Sequence, residues 1–263
     1  MLFRSTVNKI ACVTGASSGI GFAAAKELAS LGYDIIAVAR RMDRLQALEK
    51  ELKENPKTQH CRVYLAAVDV RNLNEVRSFF LALPTDWQAI DVLVNNAGLA
   101  KGLSKFYEGD TDHWDQMIDT NIKGLLYMSR TLSPGMIERG RGHIINIGSI
   151  AGKEVYDNGN VYCGTKFAVD AITKSMRLEL ALHDVKVTGI HPGAVETEFS
   201  IVRFDGDTNR AKAVYQGYEN LVAEDIADAI GYVVSRKPHV NVNDMVVMPM
   251  AQAVAGVIIR KNG

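Results

Sequence analysis

The sequence of 263 residues predicts one α/β domain, built as a doubly wound parallel sheet of seven strands with helices on both faces. Short apolar segments rich in β-branched residues alternate with amphipathic segments of helix length, which is the pattern of such a sheet. The length suits one large domain, and no repeat, low-complexity tract or Pro/Ser-rich linker divides the chain. We therefore assign residues 1–263 to a single domain.

Seven segments are short and apolar enough to be strands that are buried on both faces. They are Lys9–Thr14, Asp34–Ala39, Val63–Val68, Val92–Asn95, His143–Gly148, Lys186–Ile190 and Met245–Met248. The segments between them have the apolar spacing of helices. These helices are predicted over Ile20–Leu31, Asp43–Glu54, Leu73–Leu81, Asp112–Met136, Val161–Leu182 and Glu224–Val234.

Two segments in the C-terminal part of the chain fall outside this alternation. Residues 194–218 are polar and interrupted by glycine, so we predict a long loop there. Long loops in compact domains often act as lids over a site, and we expect a substrate lid. Residues 250–263 begin MAQAVAGVII, which is more apolar than a free chain end. We expect this tail to be buried against the body of the protein or against another subunit.

Composition argues against several kinds of partner. Lys+Arg and Asp+Glu each total 30, so the charge balance gives no indication of nucleic acid. No apolar run reaches the roughly 18 residues of a membrane span, and the N-terminus lacks the apolar stretch of a signal peptide. Three separated cysteines favour a reducing compartment, and six histidines lack metal-binding spacing. The sequence therefore predicts a cytoplasmic protein with a small-molecule substrate and no metal, membrane or nucleic-acid partner.

A glycine-rich turn, TGASSGIG, lies between the first strand and the first helix. Glycines permit a tight turn and let phosphate oxygens approach the backbone at the helix N-terminus. The spacing is G-x-x-x-G-x-G rather than G-x-G-x-x-G, so the motif alone is a moderate signal, and a tight turn without ligand is the alternative. We interpret the following residues as cofactor-binding: Gly15, Ser17, Ser18, Gly19, Ile20 and Gly21.

The same letters also read G-x-S-x-G, the nucleophile elbow of α/β-hydrolases. A hydrolase sheet supplies an oxyanion-hole loop from a strand that precedes this turn. Here only one strand comes before it, so Ser17 lacks that partner. The hydrolase reading is therefore disfavoured.

The second predicted strand ends in two arginines, Arg40 and Arg41. At this place a carboxylate would bind the ribose 2′-hydroxyl of NAD, whereas a guanidinium can bind a 2′-phosphate bidentately. The pair favours NADP over NAD, and two solvated arginines are the alternative. Asp69 follows the third strand, where it can contact the adenine edge or serve as a cap.

Ser149, Tyr162 and Lys166 are the candidate catalytic residues. Residues four apart share one helical face, so the Lys166 ammonium can lie beside the Tyr162 phenol. A free phenol has a pKa of about 10, and lowering it by about two units requires roughly 2.7 kcal/mol. One charge at ~4 Å in an effective dielectric of ~20 supplies about 4 kcal/mol. We therefore expect Lys166 to acidify Tyr162, while Ser149 donates a hydrogen bond to the reacting oxygen.

These motifs occur in one order along the chain, namely TGASSGIG, NNAG, Ser149, YCGTK and HPG. In this order the chain resembles the short-chain dehydrogenase/reductase family over nearly its whole length. The resemblance implies a Rossmann sheet, NADP(H) as cofactor and a homotetramer. It implies that Tyr162 exchanges a proton with the substrate and that Lys166 also binds the nicotinamide ribose. It further implies that Asn121 helps to hold a water. It implies that Asn95 supports the central sheet. The further cofactor contacts that it implies are Asp69, Val70, Asn96, Ala97, Gly98, Tyr162, Lys166, Pro192, Gly193, Val195 and Thr197.

The chain resembles the NADP-dependent 3-hydroxy acid dehydrogenases in several longer segments, among them WDQMIDTNIKGLLYMSR and TEFSIVRFDGD. The segment AGKEVYDNG, beside Ser149, departs from the pattern of that subgroup. The resemblance implies a substrate such as serine, allo-threonine or 3-hydroxypropionate, with semialdehyde reduction as the reverse reaction. A small acid would need a cation near the nicotinamide, and Arg203 or Lys153 could supply one. The alternatives are a carbonyl reductase of neutral ketones or 3-oxoacyl substrates, and a non-catalytic NADP(H)-binding sensor or scaffold.

Overall fold

The protein, described by a computed structural model over residues 8–260, forms the predicted parallel sheet. The seven strands run in the order β3-β2-β1-β4-β5-β6-β7, and every neighbouring pair is parallel. The strands are β1 Ile10–Thr14, β2 Asp34–Ala39, β3 Val63–Ala67, β4 Ile90–Asn95, β5 Gly142–Ile147, β6 Val185–Pro192 and β7 Asp244–Val247. The strand order reverses between β1 and β4, which is where open α/β sheets bind ligands. The predicted doubly wound Rossmann fold is confirmed.

Helices cover both faces of the sheet. They are α1 Gly19–Ser30, α2 Met42–Glu54, α3 Leu73–Ala82, α4 Thr111–Ile118, α5 Leu125–Glu138, α6 Asn160–Leu180, α7 Phe199–Arg203, α8 Thr208–Val214 and α9 Ala223–Val234. Short 3₁₀ turns lie at Thr85–Trp87, Phe106–Glu108, Ile150–Gly152 and Ala181–His183. Within residues 8–260, no helix combines the length and apolar character that crossing a membrane requires.

The sheet separates two apolar cores because successive side chains of each strand point to opposite faces. In β1, Ala11 and Val13 pack into the core that also contains residues of α1, α2 and α9. Ile10 and Cys12 pack into the opposite core, with residues of α3 and α5. This explains why the strands read as continuous apolar runs without alternation.

The helix predicted over Asp112–Met136 is not one regular α-helix. The chain stays helical, but the segment Asp119–Gly124 between α4 and α5 is a wider π turn. This turn contains the buried Asn121, whose side chain bonds to the backbone of Leu99. π turns within α-helices often mark functional positions.

The segment predicted as a loop at residues 194–218 contains the two short helices α7 and α8. The Asp207 side chain caps α8 by accepting hydrogen bonds from the backbone N–H groups of Asn209 and Arg210, both at 3.0 Å. Such a cap makes a short helix possible in a polar sequence.

The apolar tail folds into a hairpin of β8 Gln252–Val254 and β9 Val257–Ile258. Gln252 is buried, and its side-chain oxygen accepts a hydrogen bond of 2.8 Å from the Ala194 N–H, just after β6. The hairpin therefore lies against the carboxyl end of the sheet, while Met250 is fully exposed. Residues 261–263 of the predicted tail lie outside the described residues.

Candidate active site

A crevice of about 510 Å³ opens at the carboxyl ends of the strands, between the sheet and the α7–α8 segment. Most of the residues singled out from the sequence line it. These are Gly15, Ser17, Ser18, Gly19, Ile20, Arg40, Arg41, Asp69, Val70, Asn96, Ala97, Gly98, Ser149, Tyr162, Lys166, Pro192, Gly193, Val195, Thr197 and Arg203. Gly21, Asn121 and Lys153 are not among its lining residues.

The glycine turn after β1 leaves no room for a side chain at Gly15 or Gly21. Gly15 has a φ of +67°, and a Cβ on it would lie 2.7 Å from the Asn96 side-chain nitrogen. A Cβ on Gly21 would lie 2.4 Å from that same nitrogen. Gly21 therefore allows close packing of the turn against Asn96, although it does not line the crevice. The Ser18 side chain does not cap α1, so the first N–H groups of this helix are available to an anion. The turn therefore fits a dinucleotide pyrophosphate.

Arg41 lies at the adjoining end of the crevice with its guanidinium directed at an anion. Its Nη2 donates to the hydroxyls of Ser17 and Ser18, both at 3.2 Å, and to a Glu198 carboxylate oxygen at 3.0 Å. Since these groups bind the Glu198 carboxylate, they are suited to binding an anion, and the arrangement fits a 2′-phosphate. Glu198 was not singled out from the sequence, because only the folded α7 segment brings it to Arg41.

Asp69 lines the crevice, but an arginine two residues later engages its carboxylate. Arg71 donates to both Asp69 oxygens, with an Nη2–Oδ2 distance of 2.6 Å. This hydrogen bonding lowers the pKa of Asp69. The predicted contact with adenine remains a prediction.

Ser149 follows β5, and α6 places Tyr162 and Lys166 beside it. Lys166 Nζ lies 5.9 Å from the centre of the Tyr162 ring and donates to the Ile147 carbonyl at 3.0 Å. Burial lowers the pKa of Lys166 to about 8. The crevice thus brings together the three side chains that the sequence selected.

The expected acidification of Tyr162 is not a property of the protein chain alone. Burial raises the pKa of the Tyr162 phenol, and Tyr156 adds to this, while Ser149 and Arg203 oppose it only in part. Desolvation disfavours the phenolate and the ammonium alike, and it outweighs the acidification expected from the Lys166 charge. Without further positive charge in the crevice, the phenol keeps its proton.

Asn121 supports the wall behind Lys166. Its side chain exchanges two hydrogen bonds of 2.8 Å with the backbone of Leu99 and donates to Thr165 Oγ1 at 3.0 Å. A Cβ on Gly98 would lie 3.2 Å from the Asn121 oxygen and 3.6 Å from Lys166 Nζ. The amide is therefore fixed next to the lysine, and its water-holding role remains a prediction.

Asn95 lies at the centre of the sheet, where its amide nitrogen donates to Ser129 and Asn146 at 2.8 and 2.9 Å. These bonds join β4 to β5 and to α5 at a fully buried position.

The two candidate cations for an acidic substrate have different surroundings. Arg203 faces the crevice, with its guanidinium 5.7 Å from the centre of the Tyr162 ring, and donates to the Tyr156 hydroxyl at 2.8 Å. Lys153 instead pairs with Asp170 and Asp244 at 2.8 and 2.6 Å. The Lys153 ammonium is paired with carboxylates outside the crevice, so the prediction that Lys153 contacts the substrate is corrected.

Sequence reasoning also missed Tyr156 and the tail residues Gln252, Ala255 and Ile258, which line the crevice. Tyr156 lies in the segment that departs from the 3-hydroxy acid dehydrogenase pattern, which was the one available signal. The tail residues gave no signal, because nothing in their spacing indicates where a chain end docks.

Comparisons with known proteins agree with this geometry. The family model described as short chain dehydrogenase matches residues 9–207. The chain is 45% identical over 254 residues to the NADP-dependent 3-hydroxy acid dehydrogenase YdfG of Salmonella typhi, covering 96% of this chain and 100% of that one. It is 41% identical over 248 residues to sulfoacetaldehyde reductase 2 of Chromohalobacter salexigens, with 94% and 96% covered.

Among solved structures, the closed form of serine dehydrogenase complexed with NADP⁺ superposes with a TM-score of 0.89 at 42% identity, covering 96% of this chain and 100% of that one. These relatives set aside the sensor or scaffold alternative. The chain belongs to the short-chain dehydrogenase/reductase family and is an NADP-dependent oxidoreductase that acts on CH–OH groups.

Proposed function

We propose that the protein interconverts a small 3-hydroxy acid, such as serine, allo-threonine or 3-hydroxypropionate, with its semialdehyde or keto form. The observation that carries the proposal is Arg203, a cation on the crevice beside Tyr162 that pairs with no carboxylate in the part of the chain that the structure describes. Relatives named for 3-hydroxy acids, serine and sulfoacetaldehyde all handle charged substrates, which supports an ionic contact here.

The proposed chemistry assigns each step to a side chain. NADP(H), when bound, supplies or accepts the hydride. Tyr162 gives its proton to the substrate oxygen during reduction and takes it back during oxidation, while Ser149 hydrogen-bonds to that oxygen. Because burial raises the pKa of Tyr162, the phenol holds its proton for reduction, and oxidation requires more positive charge beside the phenol than the chain itself supplies.

Arg203 is proposed to hold the substrate carboxylate. The Tyr156 hydroxyl and the Gly102 carbonyl each accept one of its hydrogen bonds and fix the guanidinium plane. The remaining N–H groups are free to bind a carboxylate as a pair of parallel bonds. A neutral ketone would gain nothing from this contact, so the residue separates the two substrate classes.

The test compares Arg203→Ala with Arg210→Ala, a second lid arginine that does not line the crevice. Arg203→Ala is expected to raise KM for serine or 3-hydroxypropionate by roughly tenfold or more, since hydrogen bonds to charged groups have that strength. KM for a neutral secondary alcohol should change little, and Arg210→Ala should change neither. Equal losses for the acid and the alcohol would contradict the carboxylate contact and favour the reductase of neutral ketones or 3-oxoacyl substrates.

We also propose that the protein is a cytoplasmic homotetramer. All three cysteines are free and buried, which suits a reducing compartment. Leu178 near the end of α6 and Leu182 in the 3₁₀ turn after it are 80% and 88% exposed, and Met250 in the tail is fully exposed, as expected of surfaces that contact other subunits. Measurement of the mass in solution tests the assembly.

A further inference from the structure

Glu198 occupies the anion position at Arg41. One carboxylate oxygen accepts from Arg41 Nη2 at 3.0 Å, and the other lies 4.0 Å from Arg44. Burial alone would raise the pKa of Glu198, but Arg41 and Ser18 lower it overall. The side chain is therefore an ionised carboxylate at neutral pH, held in a cluster of arginine and hydroxyl donors.

The same donors form the proposed 2′-phosphate site. Arg41 also binds the hydroxyls of Ser17 and Ser18, which lie beside the glycine turn. A 2′-phosphate and the Glu198 carboxylate carry like charges and would compete for one guanidinium. A 2′-phosphate bound at Arg41 Nη2 would repel the Glu198 carboxylate from that nitrogen, whereas a 2′-hydroxyl would have no such effect.

Glu198 is also joined to the substrate end of the crevice. It directly precedes α7, whose first residue, Phe199, packs edge-on against Tyr162 with a ring separation of 5.7 Å. The last residue of α7 is Arg203, whose guanidinium also lies 5.7 Å from the Tyr162 ring. One helix of five residues thus links the 2′-phosphate site to the proton-exchanging tyrosine.

We propose that Glu198 occupies the 2′-phosphate site and ties α7 to Arg41 until a 2′-phosphate displaces it. NADP(H) then frees α7 from this tie, and NAD(H) leaves the tie in place. The inference rests on the proposed placement of the 2′-phosphate at Arg41.

Binding of nucleotide fragments tests the competition without turnover. The probes are 2′,5′-ADP and 5′-AMP, titrated by calorimetry into the wild type, Glu198→Gln and Glu196→Gln. Glu196 is the matched control, because it is an exposed carboxylate two residues earlier whose partner is Asn220. Glu198→Gln is expected to lower Kd for 2′,5′-ADP by roughly two- to fivefold, since a half-exposed ion pair has that strength. It should leave Kd for 5′-AMP unchanged, and Glu196→Gln should alter neither.

Hydrogen exchange of the α7–α8 segment tests the tie. In the wild type, 2′,5′-ADP should speed exchange over residues 199–214, and 5′-AMP should not. In Glu198→Gln this exchange should already be fast without nucleotide. Weaker binding of 2′,5′-ADP by Glu198→Gln, or unchanged binding, would overturn the competition, and unchanged exchange would overturn the tie.

Arg41→Ala separates this inference from the placement on which it rests. If Arg41→Ala weakens 2′,5′-ADP binding while Glu198→Gln has no effect, the result supports a 2′-phosphate site at Arg41 and contradicts the role proposed for Glu198. If Arg41→Ala binds 2′,5′-ADP as well as the wild type, the placement itself falls and the inference falls with it.

Discussion

Burial governs the two ionisable side chains of the active site, Tyr162 and Lys166. It raises the pKa of the phenol and lowers the pKa of the ammonium to about 8, so both shifts disfavour the charged forms. The ammonium is still mostly protonated at neutral pH. A buried charge of this kind lowers folding stability.

Replacing Lys166 should therefore stabilise the protein while disabling it. A lysine whose folded pKa lies below its unfolded value near 10.5 binds fewer protons in the folded state between about pH 8 and 10.5. Unfolding free energy gains a contribution of roughly 3 kcal/mol as the pH rises through this window. Lys166→Met should lack that rise and be more stable than the wild type at pH 7 by a similar amount.

Chemical denaturation at pH 7 and pH 10 measures both effects, with Lys212→Met on the exposed face of α8 as the control. The control should follow the wild type at both values. A Lys166→Met variant that is less stable at pH 7 would contradict the penalty for burying the charge.

At the scale of elements, most strands were predictable and several local distortions were not. The strands were located to within a few residues, because most are apolar runs buried on both faces, although the edge strands β3 and β7 are partly exposed, contrary to the prediction. The π turn at Asp119–Gly124 was invisible, since apolar spacing does not distinguish an i→i+4 turn from an i→i+5 turn. Helices α7 and α8 were missed because their caps and packing outweigh a polar sequence.

The π turn predicts a measurable role for Asn121. Its side chain satisfies the N–H and C=O of Leu99, which are buried groups outside any regular ladder. Asn121→Ala leaves both without a partner, and the free energy of unfolding should fall by roughly 2–4 kcal/mol. Urea unfolding measures this, with the exposed Asn209→Ala on α8 as the control. A loss within the error of that control would mean that Asn121 does not hold the Leu99 segment in place.

At the scale of the whole molecule, topology made much of the site predictable. Parallel strands bring their carboxyl ends to one edge, so residues far apart in sequence, such as Gly15, Ser149 and Tyr162, line one crevice. Contacts that depend on how the α7–α8 segment and the tail dock were beyond prediction, because docking depends on shape. Two such contacts are the hydrogen bond between Arg41 and Glu198 and the hydrogen bond from the Ala194 N–H to Gln252.

The tail hairpin should control the nucleotide site through Gln252. This buried side chain accepts a hydrogen bond from Ala194, and a Cβ on Gly193 would lie 2.5 Å from its oxygen. Gly193 is thus small because the tail packs on it, as well as because it lines the crevice. Gln252→Ala removes the acceptor and leaves the Ala194 N–H unpaired beside the predicted cofactor contacts.

We expect Gln252→Ala to lower the free energy of unfolding by roughly 1–3 kcal/mol, the penalty of one unsatisfied buried group. It should also weaken NADP⁺ binding several-fold and speed proteolysis within residues 250–260, since the hairpin loses its attachment to β6. The exposed Gln59→Ala, far from the crevice, is the control for all three measurements. If proteolysis accelerates while Kd for NADP⁺ stays at the control value, the hairpin is held by Gln252 but does not shape the nucleotide site.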